Sequence, residues 1–148
     1  MIAKKSSLCL NEFVVLKSQI EYCVVESDDL EYLDVIKDKQ LEYPIDIDYN
    51  IHEDADSKVV AVHVKVVVNE EEKPGYYVYA EGVGMFSFIE DEELDDKAKA
   101  ELITYSGISM CITNLRSYIA NVTSYYPFGK FSFPAIDMND LIGQKINI

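Results

Sequence analysis

Along residues 43–52, YPIDIDYNIH, apolar and polar positions alternate almost without fault. Tyr43, Ile45, Ile47, Tyr49 and Ile51 fall on one face of an extended chain, and Asp46, Asp48 and Asn50 fall on the other. This predicts a half-buried strand, with Pro44 confined to its start or to a sheet edge. After the turn EDADS, the segment KVVAVHVKVVV puts Val60, Val62, Val64, Val66 and Val68 on one face. Its other face, Val59, Ala61, His63, Lys65 and Val67, is only half polar. NEEEKPG reads as a solvated hairpin loop with Pro74 and Gly75 as its turn residues. The returning strand, YYVYAEGVGMFSFI, holds Gly82 and Gly84, which inside a strand mark a bulge or a close backbone approach. Upstream, residues 13–25, FVVLKSQIEYCVV, are rich in β-branched and aromatic types and predict a first strand. Residues 26–42 between them read as a charged connector with a helical turn.

Beyond residue 89 the period changes. EDEELDDKAKAELITY has a helix-forming composition with its acidic residues at the start, where the helix dipole favours them. Gly107 is expected to interrupt it. A longer apolar stripe follows: Ile108, Cys111 and Ile112, Leu115, Tyr118 and Ile119, Val122, then Tyr125 and Tyr126. Steps of three and four residues predict a helix with one apolar face, stopped by Pro127 and Gly129. An extended KFSFPAI and a short C-terminal helix of at most two turns over DMNDLIG complete the chain. Strands first and helices after predict one α+β domain over 1–148: a four-stranded antiparallel sheet with helices packed on one face.

The charge narrows the range of partners. With 148 residues and a net charge of −14, the chain repels phosphate backbones, so nucleic acid is excluded as an expected partner while basic polypeptide segments suit it. Three widely spaced cysteines, Cys9, Cys23 and Cys111, form neither a disulfide framework nor a metal spacing and fit a reducing, cytoplasmic setting. The start MIAKKSSLCLNEF lacks the apolar run of a signal peptide, and no window reaches the roughly 18–20 apolar residues of a membrane span.

No constellation of catalytic, cofactor-binding or metal-binding residues emerges. His52 and His63 have no cysteine or carboxylate motif beside them, and EDEELDD lacks the ligand-and-glycine order of a calcium loop. EGVGMF is not a phosphate-binding glycine motif, because no helix start follows at the right distance. A non-enzymatic protein is expected. The feature left to explain is an aromatic surplus, since Tyr118, Tyr125, Tyr126, Phe128, Phe131 and Phe133 fall within sixteen residues. Aromatics at helical spacing are ordinarily core, which accounts for the stripe up to Val122. YYPFGKFSF is different, because a Pro/Gly break carries its aromatics into an irregular segment.

The order of elements, the strand YYVYAEGVGMFSF and the run ITNLRSYIANVTSYYPFGKFSFPAIDMNDLI together resemble the SecB family of export chaperones. Gly84-Met85-Phe86, Arg116, Phe128 and the step from Ile136 to Leu141 occupy that family's marked positions, over about residues 58–142. The resemblance implies a SecB-like sheet with helices on one face, assembled as a dimer of dimers. It also implies ATP-independent holding of unfolded polypeptide clients in apolar grooves, without a cofactor. On that basis Tyr125, Tyr126, Phe128, Phe131, Phe133, Ile136 and Met138 are the expected lining of a client groove. Ile112, Leu115, Arg116 and Ile119 are expected in the core or at the subunit interface of the long helix. Tyr77, Tyr79 and Glu81 form the candidate partner-docking strand. Members that deliver clients to the export ATPase SecA carry a leucine and a glutamate where this chain has Tyr77 and Tyr79, so SecA docking stays open. Some SecB-like proteins instead serve one antitoxin of a toxin–antitoxin pair, which needs no motor docking.

Overall fold

A computed structural model describes residues 1–23, 30–90 and 94–146. Strand β1 (Leu8–Cys23) is followed by helix α1 (Leu30–Gln40) and the strands β2 (Ile45–Asp54), β3 (Val59–Val68) and β4 (Gly75–Phe88). A helical arm runs from α2 (Asp96–Glu101) through a π-helical turn (Leu102–Gly107) into α3 (Ile108–Thr123), and α4 (Met138–Ile146) ends the described chain. The four strands form one antiparallel sheet in the order β1-β4-β3-β2, so the chain crosses the sheet between its first two strands.

The alternation read along the valine strand is the core. Val62, Val64 and Val66 have no exposed surface, and Tyr76, Val78, Ala80 and Phe86 of β4 lie beside them on the same face. Helix α3 closes over that face with Ile108, Cys111, Ile112, Leu115 and Ile119 all buried. The helix can lie so close because β4 has no side chains beneath it at Gly82 and Gly84. A Cβ at Gly82 would stand 2.5 Å from Phe13 Cζ, and one at Gly84 would stand 2.6 Å from Cys111 Sγ. Burial holds the Cys111 thiol pushed up to about 12, and it donates to the Val62 carbonyl at 3.7 Å.

Four boundaries differ from the sequence expectation, one being α4, which runs nine residues from Met138 to Ile146 and past Gly143 where at most two turns over DMNDLIG were expected. Strand β1 begins at Leu8 and carries register shifts at Leu10/Glu12 and Val15/Lys17, while Val24 and Val25 lie outside the described residues. Within the connector 26–42, residues 30–40 form an eleven-residue helix that buries Ile36 and Gln40, more than the expected single turn. Gly107 does not interrupt the helical arm. The backbone passes through it at φ −63, inside the π turn. Ile103 and Ile108 are both buried although five residues apart, a spacing that an α-helix rotates off one face and a π turn restores.

Candidate binding surface

The aromatic surplus gathers at one end of the sheet. Tyr76, at the start of β4, is the centre: its ring lies 5.9 Å from Tyr126, 5.6 Å from Phe128 and 6.3 Å from Phe131, and Tyr22 of β1 meets Phe128 at 4.7 Å. These tilted and edge-to-face contacts are the favoured geometries of packed rings. Two of these phenols find backbone acceptors. Tyr76 donates to the Gly129 carbonyl at 2.9 Å and Tyr126 to the Ile20 carbonyl at 3.2 Å. Desolvation pushes the Tyr76 phenol up to about 12.

The segment after α3 is tied to the helix end by Thr123. Thr123, fully buried, donates from Oγ1 to the Ile119 carbonyl at 2.6 Å and accepts the Phe131 N–H at 2.8 Å. This ties the extended segment to the helix end and sets its alternation, with Phe131 and Phe133 inward and Ser132 and Pro134 outward. Gly129 takes a φ of 74, a left-handed conformation in which glycine carries no side-chain penalty.

This placement corrects part of the expected groove. Phe128, Phe131 and Phe133 are 7%, 3% and 1% exposed and belong to the core. The break at Pro127 does not carry them outward, because the segment folds back along α3 and alternates like a strand. That Phe-Ser-Phe-Pro alternation was the sequence signal for burial. Tyr125 points into solvent at 86% exposure, while Tyr126, Ile136 and Met138 are half-buried at the margin of the core. Accessible apolar groups continue with Leu33 and Val35 on α1, Ile45 and Ile47 on β2, and Leu141 on α4.

On the long helix, Ile112, Leu115 and Ile119 are core residues of this chain. Arg116 lies at the surface of that packing. Its guanidinium sits 5.0 Å over the Phe133 ring and its Nη2 donates to the Pro134 carbonyl at 3.1 Å, so it clamps the extended segment from outside.

The opposite face of the sheet is half-buried along β3 and β4. The register places Lys17, Glu81, Lys65 and Asp48 side by side across all four strands, a row of alternating charge. Glu81 is its hub: the Tyr79 hydroxyl donates to it, His63 Nε2 stands 3.7 Å away, and Lys17 lies 5.1 Å over the Tyr79 ring. The bond to Glu81 raises the Tyr79 phenol above its ordinary range. Tyr77, Tyr79 and Glu81 are therefore half-buried and share one face, with Val67, Val83 and Met85 as apolar neighbours.

Two clefts flank the β3–β4 loop, of about 210 Å³ beside Val35, Lys39, Tyr43 and Pro74 and about 110 Å³ beside Asp46, Val67 and Glu70. Both fall below the roughly 300 Å³ at which small-molecule sites begin. Among the described residues no three His, Cys, Asp or Glu side chains are grouped as metal ligands, and no helix is long and apolar enough to cross a membrane.

No protein-family model and no curated protein matches the sequence. Among solved structures, the chain is similar to a SecB-like chaperone of Mycobacterium tuberculosis, solved in complex with a ChAD peptide from the HigA1 antitoxin. The TM-score is 0.60 at 10% identity, over 88% of this chain and 91% of that one. A protein of unknown function from Streptococcus agalactiae aligns with a TM-score of 0.47 at 7% identity, over 90% of this chain and 100% of that one. The fold is thus α+β and SecB-like, a four-stranded antiparallel sheet with helices.

Proposed function

We propose that this protein is a SecB-like holdase, a divergent member of that family that binds non-native polypeptide without ATP and without catalysing a reaction. The observation that carries the reading is the SecB-like sheet-and-helix frame, whose margin presents Tyr125, Tyr126, Ile136, Met138 and the apolar side chains of α1 and β2. Apolar contacts at roughly 25 cal/mol per Å² ask little of client sequence, which suits a site for many clients. The protein acts in the cytoplasm and assembles as a dimer of dimers. We place its self-association on the long β1 edge, where Val14 and Leu16 are exposed.

The second reading narrows the client to one partner such as an antitoxin, with no docking to the export ATPase. Two observations favour it: the similar chaperone was solved with an antitoxin peptide, and burial of Phe128, Phe131 and Phe133 leaves less open aromatic surface than the sequence led one to expect.

The test is light scattering of a chemically unfolded, aggregating protein at near-stoichiometric ratio, without ATP. Suppression across several unrelated clients supports general holding. Aggregation that proceeds unchanged in all of them refutes it and leaves the dedicated reading, which predicts one dominant partner on affinity capture. In the suppressing protein, a Tyr125→Ser, Met138→Ser double variant is expected to keep its fold and lose suppression.

A further inference from the structure

Strand β2 is an edge of the sheet, and its middle is already occupied. The Tyr49 N–H donates to Asp48 Oδ1 at 2.8 Å, and the Tyr49 carbonyl accepts from Lys145 Nζ. In an antiparallel pair every second residue turns both backbone groups away from its partner strand. These bonds identify Tyr49 as such a residue on β2, and by alternation Ile47 and Ile51 as well.

Lys145 reaches this edge from α4. Its ammonium stands 2.8 Å from Asp48 Oδ1 and 3.4 Å from Asn50 Oδ1, and 4.5 Å over the Tyr49 ring. A carboxylate, a backbone carbonyl, an amide oxygen and an aromatic face therefore converge on one cation. The chain's own lysine marks a subsite that fits a lysine of a neighbouring strand.

The side chains of β2 extend that preference along the edge. Asp46 and Asp48 stand on one face of the strand with Asn50, while Ile45, Ile47, Tyr49 and Ile51 stand on the other. A second copy of β2 laid against this edge would set aspartates against aspartates. A segment alternating basic and apolar residues matches both faces, and the net charge of −14 attracts it.

We propose that the β2 edge accepts an extended basic polypeptide segment as a fifth strand, with α4 withdrawing Lys145 as the segment enters. Peptide lysines lie along Asp46, Asp48 and Asn50, and peptide apolar residues lie along Ile47, Tyr49 and Ile51. Backbone bonds to the outward groups of Ile47, Tyr49 and Ile51 hold the added strand, and its charges select it. The inference rests on the reading of this protein as one that holds extended chains; it adds where one such segment docks and which chemistry it carries.

The test is fluorescence anisotropy on the full chain. The probe is a labelled peptide of alternating lysine and valine, matched to the 10 residues of β2, with a glutamate–valine peptide as control. The lysine peptide is expected to bind tighter than the control and to weaken as salt rises. Ile51→Pro keeps the charges but places a ring on the open edge, and is expected to lose about tenfold or more in affinity. Asp46→Lys keeps the backbone and is expected to erase the preference for the lysine peptide. Lys145→Ala vacates the subsite and is expected to tighten binding several-fold.

Equal binding of the two peptides by the wild type overturns the proposal, as does wild-type affinity in both Ile51→Pro and Asp46→Lys. Should Ile51→Pro fail to fold by circular dichroism, Asp46→Lys decides alone. Aggregation suppression run in parallel separates this proposal from the holding function. Suppression with edge variants that bind peptide unchanged overturns the edge alone, whereas edge binding without suppression overturns general holding alone.

Discussion

Thr123→Val probes whether one hydroxyl fastens the aromatic segment to α3. Valine keeps the shape of threonine and removes only the oxygen. The Ile119 carbonyl is little affected, because a helix carbonyl also accepts the backbone N–H four residues on. The Phe131 N–H is the group left orphaned in a buried place, since its acceptor at 2.8 Å is Thr123 Oγ1. An unsatisfied buried donor costs about 1–3 kcal/mol, so a loss of about 2 kcal/mol is expected. For a chain of this size that lowers Tm by roughly 4–8 °C. Thr123→Ser keeps the oxygen and deletes one buried methyl, at about 1 kcal/mol. The expected order of stability is threonine, serine, valine, read by urea unfolding, with hydrogen exchange at the Phe131 amide accelerated in the valine variant alone. A valine variant as stable as the serine variant would refute the assignment of that bond.

The glycines give an internal contrast. Gly84→Ala forces a Cβ against Cys111 Sγ and a Phe86 ring carbon at 2.8 Å, both buried, and is expected to cost about 1–3 kcal/mol in denaturant unfolding. Gly143→Ala in α4 meets nothing within 4 Å and is expected to stabilise by roughly 0.5–1 kcal/mol. Asp48 supplies the pH prediction. The hydrogen bond from Lys145 holds its carboxyl below the ordinary aspartate range, so its contribution is present at neutral pH and is lost as pH falls through the folded-state value. Asp48→Asn is therefore expected to lower stability by about 1 kcal/mol or less at pH 7, this being a partly exposed pair, and to converge on the wild type once the pH falls below the folded-state value of Asp48.

Much of the sheet was legible because each strand repeats a single rule. The alternation along residues 43–52 and the valine face of β3 require only that one side be buried; the structure buries the valine face, and on β2 it buries Tyr49, leaves Tyr43, Ile45 and Ile47 half-buried and exposes Ile51. Gly82 and Gly84 were read as a bulge or a close approach; the register shifts lie on the facing strand β1, and the approach is that of Phe13 at Gly82 and of Cys111 on α3 at Gly84. Less was legible where a residue's neighbour is distant in sequence. The burial of Phe128, Phe131 and Phe133 depends on Thr123 and Arg116 holding an irregular segment against α3, and helical periodicity does not report such a clamp. Gly107 looked like a break as a glycine inside a helical pattern, whereas a π turn carries the helix through it and keeps Ile103 and Ile108 on the same side. Lys145 gave no signal in the sequence, since a lone lysine near a helix end is ordinarily solvated.

The sheet order also governs the chain as it is made. Strand β1 is synthesised before the other three strands, yet its only strand partner in the described fold is β4, with Leu8 opposite Phe88 and Cys23 opposite Gly75. At about 5–20 residues per second, Leu8 waits roughly 4–16 s for Phe88 to be added, and longer for that residue to clear the ribosome. Meanwhile β2 and β3, joined by a short turn, can pair as soon as both have emerged. During that interval Phe13, Val14, Val15 and Leu16 form an unpaired apolar stretch on the nascent chain. A protein read here as a keeper of unfinished chains passes through that condition itself, and the order of its own strands sets how long.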